Sequence, residues 1–63
     1  MSNTISAELK LEAVLRELAY RRRVYPRRVA ENKMTEHLAR VQIGIMEAIA
    51  DDYREMARKE RLV

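Results

Sequence analysis

The chain contains no cysteine, no tryptophan and no phenylalanine, and it has one glycine and one proline. Each shortage closes a route. Without cysteine there is no disulfide and no thiolate metal site, and the composition fits a reducing compartment. A single glycine leaves no glycine-rich loop to cradle phosphate. With three tyrosines as the whole aromatic complement and 37% charged residues, the chain is a poor sheet former and a good helix former. No apolar run approaches the ~20 residues needed to span a bilayer. The opening MSNTISAELK also lacks the basic-then-apolar layout of a secretory signal. A cytoplasmic protein without a membrane partner is expected.

What is present is 63 residues, 48% of them hydrophobic, which argues against disorder. A single helical domain over 1–63 is expected, with frayed ends at 1–5 and 61–63. A domain this small buries little of its surface and is marginal alone. With disulfides and thiolate metal sites closed, association with another subunit is the remaining aid. The net charge of +3 is unevenly spread. Residues 1–15 carry one Lys and two Glu, a net −1; residues 34–63 carry five positive and six negative side chains, also −1. Residues 16–33 carry seven positive against two negative, a net +5.

Two helices account for most of the chain. Ser6 is placed to cap the first, with Glu8 suiting the positive end of its dipole. Ala7, Leu11, Val14, Leu15 and Leu18 then recur at helical spacing, a stripe that Tyr25 extends and Arg22 interrupts. Pro26 is expected to stop this helix, because its ring clashes with a preceding turn and pushes Tyr25 toward extended geometry. Residues 26–32 then read as a short helical corner, ended by Asn32 in the left-handed conformation. Thr35 caps the second helix, with Glu36 beside it. Its apolar stripe is Leu38, Val41, Ile45, Ala48, Ile49, Tyr53 and Met56, widened by Ala39, Ile43, Met46, Ala50 and Ala57. The arc spans roughly 220°, about twice what one neighbouring helix covers.

The expected fold is therefore all-α: an antiparallel helical hairpin of about 6–24 and 35–60 with a corner at 26–32, paired into a dimeric helical bundle. The surplus arc places Gln42, Ile43, Met46, Ile49, Ala50 and Tyr53 at the dimer interface. Asp52 and Gln42 project into or beside the arc. In a simple hairpin Arg22 falls near residue 38, some 21 Å from Asp52 at about 1.5 Å per residue. An antiparallel pairing of second helices across a two-fold axis brings the two together between subunits, with Gln42 helping to set register; the competing reading leaves both in water at the rim.

The run RRRVYPRRVAENK is the basic segment. Arg21, Arg22, Arg23, Arg27, Arg28 and Lys33 are candidates for phosphate contact, with Tyr20 and Tyr25 available to stack on bases. The competing reading, which we favour, is a solvated helix end complementing its dipole. A helix-turn-helix in RVAENKMTEHLARV is disfavoured by Met34 at the turn, by Arg40 where an apolar anchor belongs, and by a second helix of some 26 residues carrying Glu47, Asp51, Asp52 and Glu55. Glu47, Asp51 and Glu55 stand four apart on one face, but carboxylates on one helix do not converge on a cation. His37 is the only histidine, and no nucleophile accompanies it. No enzyme, cofactor, metal or small-molecule substrate is expected.

Tyr25, Pro26, Arg27 and Val29, followed by Lys33-Met34, Met46-Glu47-Ala48-Ile49 and Asp52-Tyr53, resemble a pattern in short uncharacterised proteins of tailed phages and prophages. The likeness covers about residues 17–55. It implies a phage or prophage source and a cytoplasmic setting, and it carries no assigned activity. The function expected is a self-associating, protein-binding module; the alternative is a weak, sequence-indifferent nucleic-acid binder using the basic segment 21–33.

Overall fold

The computed structural model describes residues 4–62, so the expected fraying at 1–3 and 63 lies outside the described residues. Two helices, α1 (Ala7–Ala30) and α2 (Glu36–Arg61), make up the element order, and no strand occurs among the described residues. Both starts are capped as the sequence requires. The Ser6 hydroxyl accepts from the Leu9 amide at 3.2 Å, and that of Thr35 accepts from the Leu38 amide at 3.0 Å. The Ala7 amide donates to both carboxylate oxygens of Glu60, at 3.1 and 3.3 Å, which ties the start of α1 to the end of α2.

Pro26 does not stop the first helix. The expectation of a break there, and of a separate corner at 26–32, is corrected by a single helix that runs through Pro26 to Ala30. Pro26 removes one backbone bond, but it is exposed, so the carbonyl left without that donor can face water. Continuation meanwhile carries Val29 back to the packed side, where it is half-buried. The true stop is Asn32, at φ 60. Its amide donates to the Val29 carbonyl at 3.0 Å, and the Lys33 amide donates to that of Arg28 at 2.8 Å. These two bonds form a Schellman cap, with Asn32 in the left-handed position that the sequence assigns to it.

The helices pack antiparallel along heptad-spaced seams. On α1 the seam is Ala7, Leu11, Val14, Leu18, Arg21 and Tyr25; on α2 it is Ala39, Ile43, Met46, Ala50, Tyr53 and Ala57. Three of the six α2 seam positions are alanine, and Leu18 of α1 lies beside one of them, Ala50. The core is thin. Among the described residues only Ala7, Leu18, Ala39, Ala50 and Ala57 are buried, and no large side chain is below 2% exposure. The result is a rod of 47 × 21 × 15 Å with a radius of gyration of 14.7 Å, against ~10.6 Å for a compact chain of this length.

The longer α1 also changes which residues face each other. Arg22, expected near residue 38, meets Glu47 instead, nine positions further on, with Nη2 2.7 Å from Oε2. The reversal occupies 31–35 rather than starting at Pro26, so every partner on α2 moves toward its C-terminus.

Candidate interaction surface

α2 carries two apolar seams. The first faces α1. The second consists of Leu38, Ile45, Ile49 and Met56, with Gln42 and Asp52 at the two remaining heptad positions and Val41 at its flank. Each residue of the second seam stands one position before a residue of the first, so the two faces are ~100° apart around the helix. A helix in a four-helix bundle presents two such faces to two neighbours. Here one neighbour is present. Leu38, Val41, Ile45 and Met56 remain 44, 41, 46 and 45% exposed.

The residues expected at a dimer interface separate accordingly. Ala50, at 1% exposure, packs within the hairpin seam. Ile43, Met46 and Tyr53 share that seam and are half-buried. Ile49 belongs to the open face. Gln42 stands on the border between the two faces. The hydrophobic stripe alone does not reveal which part of a wide arc the intrachain partner takes. The alanines mark it: Ala39, Ala50 and Ala57 are the buried residues of α2.

Arg21, a candidate phosphate contact in the sequence, is the polar residue that lies within the hairpin seam. It occupies a seam position, spaced three from Leu18 and four from Tyr25, where the spacing of the stripe placed the interruption at Arg22. Its side chain is 17% exposed. Nε donates to Glu17 Oε2 at 2.8 Å, while Nη1 donates to the Gln42 carbonyl at 2.8 Å and lies 3.5 Å from Gln42 Oε1. The guanidinium carbon also lies 5.7 Å from the Tyr25 ring centroid. The network emerges at the hairpin edge shared with the open seam. Lys10 comes out on the same edge, with Nζ 5.8 Å from the ring centroid of Tyr53.

The remaining basic residues lie elsewhere. Arg22 is tied to Glu47 on the opposite edge, and Lys33 sits 3.5 Å from Glu31 in the turn. Arg23, Arg27 and Arg28 are exposed. Because α1 continues through Pro26, Arg23 and Arg27 line up with Arg16 and Tyr20 on the face directly opposite α2. Tyr20 is 41% exposed, with the Arg23 guanidinium 5.8 Å from its ring.

The three spaced carboxylates of α2 each meet an arginine: Glu47 with Arg22, Asp51 with Arg54 at 2.9 Å, and Glu55 with Arg58. The Arg58 guanidinium, by hydrogen bond and by charge, holds the Glu55 carboxyl below its ordinary range, and Glu55 raises Arg58 in return. No cluster of His, Cys, Asp and Glu suited to a metal occurs among the described residues. Beside the turn, a shallow groove of about 270 Å³ is lined by Pro26, Val29, Glu36, Ala39, Arg40 and Ile43. No helix among the described residues is long and apolar enough to cross a membrane.

No protein-family model, curated protein or solved structure matches the chain.

Proposed function

We propose that this protein is a self-associating helical hairpin that acts by binding another macromolecule, without catalysis. The observation that carries the reading is the second seam of α2, an apolar face at bundle phase that no helix among the described residues covers. The thin intrachain core supports it, since four of the five buried residues are alanine and contribute little apolar area each. The phage-type pattern around Tyr25-Pro26-Arg27 adds a cytoplasmic, phage or prophage setting to the proposal. Sedimentation of the pure protein over a range of concentrations tests it. Association that tightens with concentration is expected; a folded monomer throughout would remove the reading.

With α2 engaged in self-association, the outward face of α1 is what remains for a partner. Arg16, Arg23 and Arg27 lie there with Tyr20, and none of the three arginines has an ion pair among the described residues. This arrangement favours a second reading, the contact of an anionic surface such as single-stranded nucleic acid by arginine and stacked tyrosine. It uses Arg16, Arg23 and Arg27 rather than the whole basic run, because Arg21 and Arg22 are committed inside the chain. Three phosphate contacts give a salt slope of about −2 on logarithmic axes for a single strand. Gel retardation that fades at that slope supports the second reading. Absence of retardation in dilute buffer leaves a protein partner.

A further inference from the structure

The open seam has a symmetry that a generic apolar stripe lacks. Its heptad positions, Leu38, Gln42, Ile45, Ile49, Asp52 and Met56, are arranged evenly about a point midway between Ile45 and Ile49. Reversing the helix about that point places Leu38 against Met56, Ile45 against Ile49 and Gln42 against Asp52. Apolar meets apolar, and the two polar residues of the seam meet each other. We infer that α2 pairs antiparallel with α2 of a second copy, about a two-fold axis at this point, with Gln42 facing Asp52 of the second copy. The inference rests on the self-association proposed above and specifies its partner and register.

Charge supports the same register. Gln42 is held from its own chain by Arg21, whose other partner is Glu17. Asp52 of the second copy arrives at this network next to its own Tyr53, over which Lys10 lies. Each polar node then collects Arg21 and Glu17 from one copy and Asp52 and Lys10 from the other, two positive and two negative charges. The side-chain amide of Gln42 donates to the incoming carboxylate while its backbone carbonyl keeps the bond from Arg21. Two such nodes, related by the axis, flank an apolar centre of four isoleucines. A shift by one heptad would set Asp52 against Ile49 in one direction and Gln42 against Ile45 in the other, leaving a polar group in an apolar contact either way.

The shape also fits. The chain exposes 4924 Å², whereas a compact monomer of its mass exposes about 4250 Å². The surplus of roughly 670 Å² reflects the rod shape, which leaves one side of α2 uncovered. From Leu38 to Met56 the contact runs ~27 Å along the helix, more than half of the 47 Å rod.

The absence of cysteine makes the test clean. Leu38→Cys and Met56→Cys are prepared separately, and both positions are about half exposed, so the hairpin itself is not threatened. Each variant is first weighed by sedimentation in the reduced state, then oxidised mildly alone and in an equilibrated equal mixture. The expected result is dimers throughout, no cross-link in either variant alone, and covalent dimer from about half of the chains in the mixture, as an isologous pairing requires. Cross-linking of Leu38→Cys with itself would show a parallel arrangement and overturn the inference. Reduced dimers with no cross-link in the mixture would overturn the register and leave self-association standing. Monomers at every concentration would remove both.

Discussion

Arg21 shows how much one half-buried charge decides in a rod this thin. Its guanidinium satisfies Glu17 and the Gln42 carbonyl while its stem fills a seam position. A charge so placed is weak evidence for stability, since a well-packed apolar residue of similar volume often serves as well. Arg21→Leu is therefore expected to leave the thermal midpoint unchanged or raise it, while cross-linking in the mixed-cysteine assay becomes less selective. Asp52→Arg sets two guanidiniums facing each other and is expected to weaken association at least tenfold at low salt, read by sedimentation. Unchanged affinity would show that Asp52 is not at the interface. Leu18, 4% exposed, is the one large side chain near full burial among the described residues. Leu18→Ala should cost ~2–3 kcal/mol in denaturant unfolding, the lower end for a core leucine because a two-helix seam can close partly around the gap. The Leu18 position was legible from the spacing of its stripe. Arg21 was hidden because three consecutive arginines offer several phases, and only the α2 partners select among them.

At the scale of the element, the caps were legible and the interruption was not. Ser6, Thr35 and Asn32 do locally what their side chains permit, and local chemistry is what a sequence displays directly. Pro26 is a contest between a lost backbone bond and the packing gained by continuing. That packing depends on α2, which the local sequence does not show. If α1 is continuous, Pro26→Ala restores the missing amide without altering the path and should stabilise the protein by ~1–3 kcal/mol in the same assay. A loss of stability would mean that the proline sets a bend the hairpin needs. Gly44 behaves as a simple penalty. A β-carbon added there would meet nothing within 4 Å, and the position on α2 is well away from the open seam. Gly44→Ala is expected to stabilise α2 by roughly 0.5–1 kcal/mol and to leave association unchanged. Weaker association would place a second backbone against Gly44 and shift the interface to another face.

For the whole molecule, the two stripes led to the right two-helix architecture and an incomplete allocation of the α2 arc. The sequence shows an arc twice as broad as one helix can cover. The stripe alone does not show which half goes inside; Ala39, Ala50 and Ala57 mark that half. Ala50 and its neighbours lie inside the hairpin seam, and Leu38, Ile45 and Met56 lie open. A rod with few buried side chains and a second seam at bundle phase has the form of half a four-helix bundle. Ile45→Lys, near the proposed axis, brings two ammonium groups into the apolar centre and should abolish association while leaving the helical signal of the hairpin in place. The most direct measurement is sedimentation equilibrium of the unaltered protein from micromolar to millimolar concentration. A mass of twice 7.5 kDa is expected, falling toward the single-chain value only on dilution. A well-folded species that holds the single-chain mass across the whole range would contradict it.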